Sequence, residues 1–168
     1  MISMINCIVA VDRNWGIGKK NGLLFNIKAD MKHFREMTKN KVVLMGENTL
    51  LSFPGNKPLK NRVNVVLCPE GHEYDGCICL HSFEAMLNFA QIMAKEYDVF
   101  VIGGGYFYNS MLPYYDRVYV THVDAVDPEA EVFFPDLNKA GFKVTAETNV
   151  QEDGDYKFRM VTYEKGDN

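Results

Sequence analysis

The chain has 168 residues, the length of one ordinary domain. With 47% apolar and 24% charged residues it can bury a core and keep a polar coat, which excludes intrinsic disorder. Lys and Arg total 18 against 22 Asp and Glu, a formal net charge of −4, the wrong sign for a counterion-releasing nucleic-acid binder; any bound anion must be held locally.

In chain order, Met1 to Val11 is apolar but has no basic leader or small-residue cleavage site. It is also too short to span a bilayer, so a cytoplasmic protein with no membrane partner is expected. Its Val and Ile content predicts a strand over Met4–Val11. Asp12 to Leu24 follows, carrying Gly16, Gly18 and Gly22, and is longer than the usual strand-to-helix link of about 2–6 residues. Such a stretch serves as a lid or as a plain surface connection. The periodicity then predicts a helix over Ile27–Thr38. At about 100° per residue Ile27, Asp30, Met31 and Phe34 share one arc, while Lys28, Lys32, Arg35, Glu36 and Lys39 lie opposite. One carboxylate therefore points with the apolar face. A first-turn acid is also favoured by the helix dipole alone, and an Asp in an apolar cleft would have its pKa raised by desolvation; both readings stand.

A strand over Val42–Met45 and a short helix near Asn48–Ser52 come next, then a loop from Phe53 to Asn61 with Pro54, Gly55 and Pro58. Arg62 sits between this loop and a strand over Val63–Leu67. A guanidinium there can take a carboxylate bidentately, although most surface arginines do nothing so specific. Pro69 to Cys79 reads as loop without a functional account. A strand over Ile78–Leu80 and a helix over Phe83–Glu96, capped by Ser82, lead to a strand over Val99–Ile102 and then Gly103-Gly104-Gly105. Glycines between a strand and the helix Gly105–Met111 let backbone approach a phosphate, and equally make a tight turn with close helix–sheet contact. Tyr108 stands where G-x-G-x-x-G would have its last glycine. Strands over Arg117–Val123, Lys143–Thr148 and Tyr156–Tyr163, with a loop from Asp124 to Phe134, complete the chain. The alternation predicts one α/β domain over residues 1–168, mainly parallel with an antiparallel C-terminal edge. Cys77 and Cys79 are too close for a C-x-x-C pair, and His33, His72, His81 and His122 are scattered. Reduced thiols, Cys7 and Cys68 included, and no metal are expected.

Taken in order, Asn6-Cys7-Ile8-Val9-Ala10-Val11, Gly16-Ile17-Gly18 through Gly22-Leu23, Ala29-Asp30-Met31 to Phe34, Val43-Leu44-Met45-Gly46 with Thr49, Pro58-Leu59 and Arg62 to Leu67 resemble the dihydrofolate reductase family. The likeness continues through Val101-Ile102-Gly103-Gly104-Gly105 to Tyr108, Tyr119-Val120-Thr121-His122 and Phe134-Pro135-Asp136. It implies a central eight-stranded, mostly parallel sheet flanked by four helices, and a monomeric enzyme of one-carbon metabolism. That enzyme moves hydride from NADPH to 7,8-dihydrofolate, giving tetrahydrofolate, and takes antifolate inhibitors.

The same resemblance implies roles residue by residue. Asp30 would accept hydrogen bonds from the pterin's 2-amino group and N3, with Thr121 as second anchor. N5 would gain its proton from a water admitted by the lid, Asp30 acting through orientation and electrostatics. Tyr108 and Leu23 join them in the catalytic group. Ile8, Val9, Met31, Phe34, Phe53, Leu59 and Ile102 would wall the substrate, and Arg62 would clamp the α-carboxylate of its glutamate tail. For the cofactor, Ala10, Ile17 and Gly18 would hold the nicotinamide end. Gly46, Glu47, Asn48, Thr49, Leu67, Cys68, Ile102, Gly103, Gly104, Gly105, Tyr106, Phe107 and Tyr108 would line the remainder, with a cis peptide at Gly103-Gly104.

Two departures qualify this. The family has Pro-Trp after the lid, whereas Leu24 and Phe25 stand here, and phenylalanine lacks the indole donor. Relatives carry bases for the adenosine 2′-phosphate where Glu47 and Tyr106 stand, so a small NADPH:NADH discrimination is expected unless Lys57 or Lys60 reads the phosphate. A reductase of another pteridine or pyrimidine, or a non-catalytic folate- or nucleotide-binding protein, are the alternatives. Asp30 with Arg62 argues against the former, because the pair suits a diaminopyrimidine ring joined to a carboxylate tail.

Overall fold

The computed structural model describes residues 4–19, 22–23 and 25–166. Its first elements are β1 (Ile5–Val11), β2 (Gly16–Lys19), β3 (Gly22–Leu23), α1 (Lys28–Thr38), β4 (Val42–Gly46), α2 (Glu47–Leu51), β5 (Val63–Leu67) and β6 (Cys77–Leu80). They are followed by α3 (Phe83–Met93), β7 (Val99–Val101), α4 (Gly105–Ser110), β8 (Arg117–Val123), β9 (Val132–Phe133), β10 (Phe142–Glu147), β11 (Gln151–Asp153) and β12 (Tyr156–Lys165). Two single 3₁₀ turns, Pro54–Asn56 and Leu112–Tyr114, each start at or next to a proline.

The eight strands predicted from Val, Ile, Tyr and Phe content are the eight that form the main path, ordered β10-β12-β8-β1-β7-β4-β5-β6. A ninth, β11, pairs with β12 and was outside the expectation. The stretch from Asp12 to Leu24 is also not plain loop. β2 turns back onto β3, with Gly18 opposite Leu23, and takes β9 on its other side, Gly18 opposite Val132.

By packing, the chain divides into two compact units, Met1–Cys7 with Thr38–Tyr115 and Ile8–Met37 with Asp116–Asn168. In the first, β1, β7, β4, β5 and β6 run parallel, with Cys7 opposite Val101 and Gly46 opposite Leu67. Val43, Leu44, Met45, Val65, Val66, Val99 and Val101 are fully buried. A parallel strand covered on both faces reads as an unbroken apolar run, which is why β4 shows no alternation. Helix α3 starts where Ser82 Oγ accepts the Ala85 N–H at 3.1 Å and turns Met86 and Ala90 inward.

In the second unit β12 pairs antiparallel with β8 and β10, and β8 alternates half-buried and buried positions from Arg117 to Val120, after which Thr121 is buried on the opposite face as well. Ile27, Val123 and Phe158 form a core cluster, with Phe25, Ala29, Ala125, Tyr156 and Met160 packed against it. Phe25 meets Tyr156 edge-on, ring centres 5.1 Å apart. No helix among the described residues is long and apolar enough to cross a membrane.

Candidate active site

The second unit carries the acid that the helical wheel singled out. Helix α1 is capped from outside, the Ala29 N–H donating to Asp153 Oδ2 at 2.8 Å, which puts Asp30 in the first turn. There Thr121 Oγ1 donates to Asp30 Oδ1 at 2.6 Å. Thr121 is 3% exposed, in the second half of β8. Burial pushes the Asp30 carboxyl above the ordinary aspartate range; the Thr121 hydroxyl and nearby His33 oppose that shift without cancelling it. The site therefore holds a desolvated carboxylate with one fixed hydroxyl beside it, a pairing that suits a flat cationic or amidine-like ring. Of the residues expected near it, Ile8 and Val9 are buried in β1, Phe34 is half-buried, and Met31 is 46% exposed despite sharing the apolar arc.

The stretch expected as a lid is tied down by a second acid. Asp12 is 1% exposed, and its Oδ1 accepts the Asn14 and Gly16 N–H groups, each at 2.8 Å, while Oδ2 accepts that of Asp127 at 3.1 Å. Trp15, at φ +64°, lies edge-on to His122, ring centres 5.0 Å apart, and its carbonyl accepts the Phe134 N–H. Ile17 is buried and Gly18 accepts the Glu131 N–H, and Ala10 is the one half-buried residue of β1. Leu23 pairs through its backbone, and Leu24 lies outside the described residues.

The first unit gathers the glycines. The Gly103-Gly104 peptide is cis, as expected, and the Gly46 N–H donates to Gly103 O at 2.9 Å. Gly103 has φ +140°, and a Cβ there would lie 2.9 Å from Thr49 Oγ1, so no larger residue fits. Ile102 donates to Leu44 O in the strand that precedes this turn. Tyr108 is fixed from both sides of its backbone: its N–H donates to Gly104 O, and its carbonyl accepts the buried Tyr115 hydroxyl at 2.8 Å. Phe107 is buried under α4, whereas Tyr106 is 88% exposed. Arg62 Nε donates to Thr38 Oγ1 at 2.9 Å and Nη1 to Lys60 O at 2.7 Å, so the guanidinium is held in one orientation. Leu59 is bonded at both N–H and carbonyl by the Asn64 side chain, and the Phe53 N–H donates to Leu50 O just past the end of α2.

The family model for dihydrofolate reductase matches residues 4–165. The chain belongs to the dihydrofolate reductase family. A dihydrofolate reductase of Bacillus subtilis is 32% identical over 96% of this chain and 95% of its own length, and that of Mus musculus is 31% identical over 99% and 100%. A viral dihydrofolate reductase of Saimiriine herpesvirus 2 is 34% identical over 98% of this chain and 86% of its own. Among solved structures, the dihydrofolate reductase from Enterococcus faecalis complexed with NADP(H) and an inhibitor has a TM-score of 0.84 at 29% identity, covering 98% of this chain and 97% of that one.

Against the dihydrofolate reductase pattern, Glu47 is the departure with the most definite surroundings. Its Oε2 accepts the Tyr74 hydroxyl at 2.6 Å and meets His72 Nδ1. Those contacts, Tyr74 first, hold the Glu47 carboxyl below the usual range, and the Tyr74 hydroxyl is pushed up to about 12. Leu67 and Cys68 follow on the neighbouring strand end; burial, first among several causes, pushes the Cys68 thiol up to about 11, an unreactive value. Asn48 and Thr49 bond Ser52 through their carbonyls within α2. His72 and Tyr74 were missed from the sequence because no spacing links a loop residue to an acid 25 or more positions away.

Proposed function

We propose that this chain, acting as a cytoplasmic monomer, reduces 7,8-dihydrofolate to tetrahydrofolate with NADPH. The observation that carries the reading is the desolvated Asp30 carboxylate with its 2.6 Å Thr121 hydroxyl. Asp30 would accept from the 2-amino group and N3 of the pterin. Thr121, already donating to Oδ1, holds the carboxylate in the plane those two donors need. On the family resemblance, Ile8, Val9, Met31 and Phe34 of the second unit and Phe53, Leu59 and Ile102 of the first would be apolar contacts of the substrate. Arg62, oriented by Thr38 and Lys60, would take the glutamate carboxylate.

The residues present fit a dinucleotide. The Gly103-Gly104 turn is a cradle that a Cβ would fill, and Thr49 Oγ1 stands against it. Gly46, Thr49, Gly103, Gly104 and Gly105 would hold the pyrophosphate, Ala10, Ile17 and Gly18 the carboxamide end, and Tyr108 the ring. When bound, NADPH supplies the hydride. The chain's share is to bind, orient and exclude water: Asp30 would orient the pterin, and the Asp12-anchored stretch would admit the water that protonates N5. Leu23 belongs to that stretch by its pairing with Gly18. Phe25 contributes bulk beside Tyr156 but no donor.

Preference for NADPH over NADH is small, because Glu47 is an ionised acid and Tyr106 an exposed neutral ring where relatives place bases. The test is loss of the reduced-nicotinamide absorbance in a mixture of the full chain, NADPH and dihydrofolate. Oxidation that needs dihydrofolate and stops with Asp30→Asn supports the reading. Binding of both ligands without turnover would make the chain a non-catalytic binder instead.

A further inference from the structure

Helix α1 opens without a cap of its own. The Met31 N–H donates to Ile27 O at 3.0 Å, which puts Ile27 at the N-cap. That is where Ser, Thr, Asp or Asn ordinarily accepts the N–H of the second or third helical residue. Ile27 has no side-chain acceptor and is 4% exposed, packed with Val123 and Phe158. The second residue of the helix is Ala29, and its N–H donates instead to Asp153 Oδ2 at 2.8 Å, across 124 positions of the chain. The residue held in this way is the immediate neighbour of Asp30.

What holds Asp153 also holds Thr121. Asp153 is the last residue of β11 and pairs with Tyr156 across a turn at Gly154, whose φ is +61°, while Thr121 of β8 pairs with Met160. Both partners lie on β12, about 13 Å apart at the rise of a strand. That strand takes β11 on one side and β8 on the other, Phe158 pairing with Gln151 and with Val123. It therefore sets the spacing between the acceptor that fixes the Asp30 backbone and the hydroxyl that donates to its carboxylate at 2.6 Å. Tyr156, opposite Asp153, meets Phe25 edge-on, so the chain entering α1 rests on the same hairpin. Glu152, the neighbouring acid, pairs with Lys157 instead.

We infer that Asp153 is a positioning residue for the reductase reaction: by capping α1 it fixes where the Asp30 carboxylate stands against Thr121, and so how the substrate ring is held, a role that rests on Asp30 being the group that holds that ring. A carboxylate located from both its backbone and its side chain is aligned before the substrate arrives. Without the cap the first turn of α1 has one more unsatisfied N–H and frays, and Asp30 moves with it. A cap with a structural role alone would change stability and leave the turnover of each folded molecule as it was.

The experiment is a double-mutant cycle on turnover. With saturating NADPH, kcat and KM for 7,8-dihydrofolate are measured for the full chain, Asp153→Ala, Asp153→Asn, Asp30→Asn and the Asp153→Ala, Asp30→Asn double variant. The Kd for NADPH, from fluorescence, checks that each is folded. Asp153→Ala lowers kcat/KM about tenfold, the loss expected for one hydrogen bond to a charged group, and keeps the NADPH Kd within about twofold of wild type. Asp153→Asn retains an acceptor oxygen and stays within about threefold of wild type. In the Asp30→Asn background the same alanine change alters kcat/KM by less than about twofold, because the group it positions is gone. If Asp153→Ala does not bind NADPH, Asp153→Ser, with a shorter reach for the Ala29 N–H, takes its place in the cycle. An Asp153→Ala enzyme as fast as wild type, an equal fall in both backgrounds, or no recovery with asparagine overturns the inference and leaves the reductase reading intact. A wild-type chain without dihydrofolate-dependent NADPH oxidation overturns that reading, and the inference with it.

Discussion

Replacing Asp12 with alanine tests how the stretch from residue 12 onward is held. Its carboxylate is 1% exposed and accepts three backbone N–H groups, two at 2.8 Å and one at 3.1 Å, from Asn14, Gly16 and Asp127. A hydrogen bond to a charged group contributes about 1.5–3 kcal/mol, which for three gives a ceiling of about 4.5–9 kcal/mol. The three share one charge, and water enters the space the side chain leaves, so the expected loss is about 2–4 kcal/mol. Asp12→Asn keeps one acceptor oxygen but turns an amide NH₂ toward the remaining donors, and recovers no more than about half of that. Urea titrations give the difference as a shift in midpoint at constant slope. Amide exchange at Asn14, Gly16 and Asp127 should quicken in step, and the KM for NADPH should rise more than kcat changes, because Ile17 and Gly18 hang from this anchor. An alanine variant within about 1 kcal/mol of wild type, or an asparagine variant as stable as wild type, would refute the reasoning.

Asp30→Asn should lower dihydrofolate-dependent turnover at neutral pH by about a hundredfold or more, and weaken a diaminopyrimidine antifolate comparably. Its stability runs the other way. Because burial raises the Asp30 pKa in the fold, the native protein holds that proton more tightly than the unfolded chain, and this contribution is lost as pH rises through the folded value. Denaturation near pH 4 and near pH 8 should therefore show the variant gaining on wild type at the higher pH, and a constant difference would remove the desolvation argument. Gly103→Ala places a Cβ 2.9 Å from Thr49 Oγ1 at a φ of +140°. It should cost about 2–3 kcal/mol and abolish binding of NADPH measured by fluorescence; an unchanged Kd would show that the turn does not hold the cofactor. Tyr115→Phe leaves the buried Tyr108 carbonyl without its 2.8 Å donor, and should cost about 1–2 kcal/mol in the same urea assay.

Long apolar strands were legible because their residues declare themselves. Val42–Gly46 has no polar side chain, and a run that stays apolar through every position is covered on both faces; Val63–Leu67 breaks its run only at Asn64, which is buried and bonded to Leu59. What escaped was short and glycine-rich: Gly16–Lys19 alternates glycine with other residues and offers no face to a periodicity argument, and Val132–Phe133 is two residues long. These strands exist because they pair with one another, a non-local condition that a local window does not see. Asp30 was visible on the wheel, but its hydroxyl partner lies 91 positions away and was reached only through the resemblance. Glu47 was recognised as out of pattern; its partners, His72 and Tyr74, sit in a loop whose composition gives no sign of them.

Strand β8 works as a two-sided ruler. Thr121 serves the acid on one side of the pleat, while its immediate neighbour His122 bonds the Tyr163 hydroxyl at 2.8 Å and meets the Trp15 ring on the other. Deleting a single amino acid between positions 117 and 121 would put an imidazole where the hydroxyl belongs, and adding one would put Val120 or the new residue there. Viable indels here must come in twos, and a library that varies the length of this segment should return survivors of even parity only.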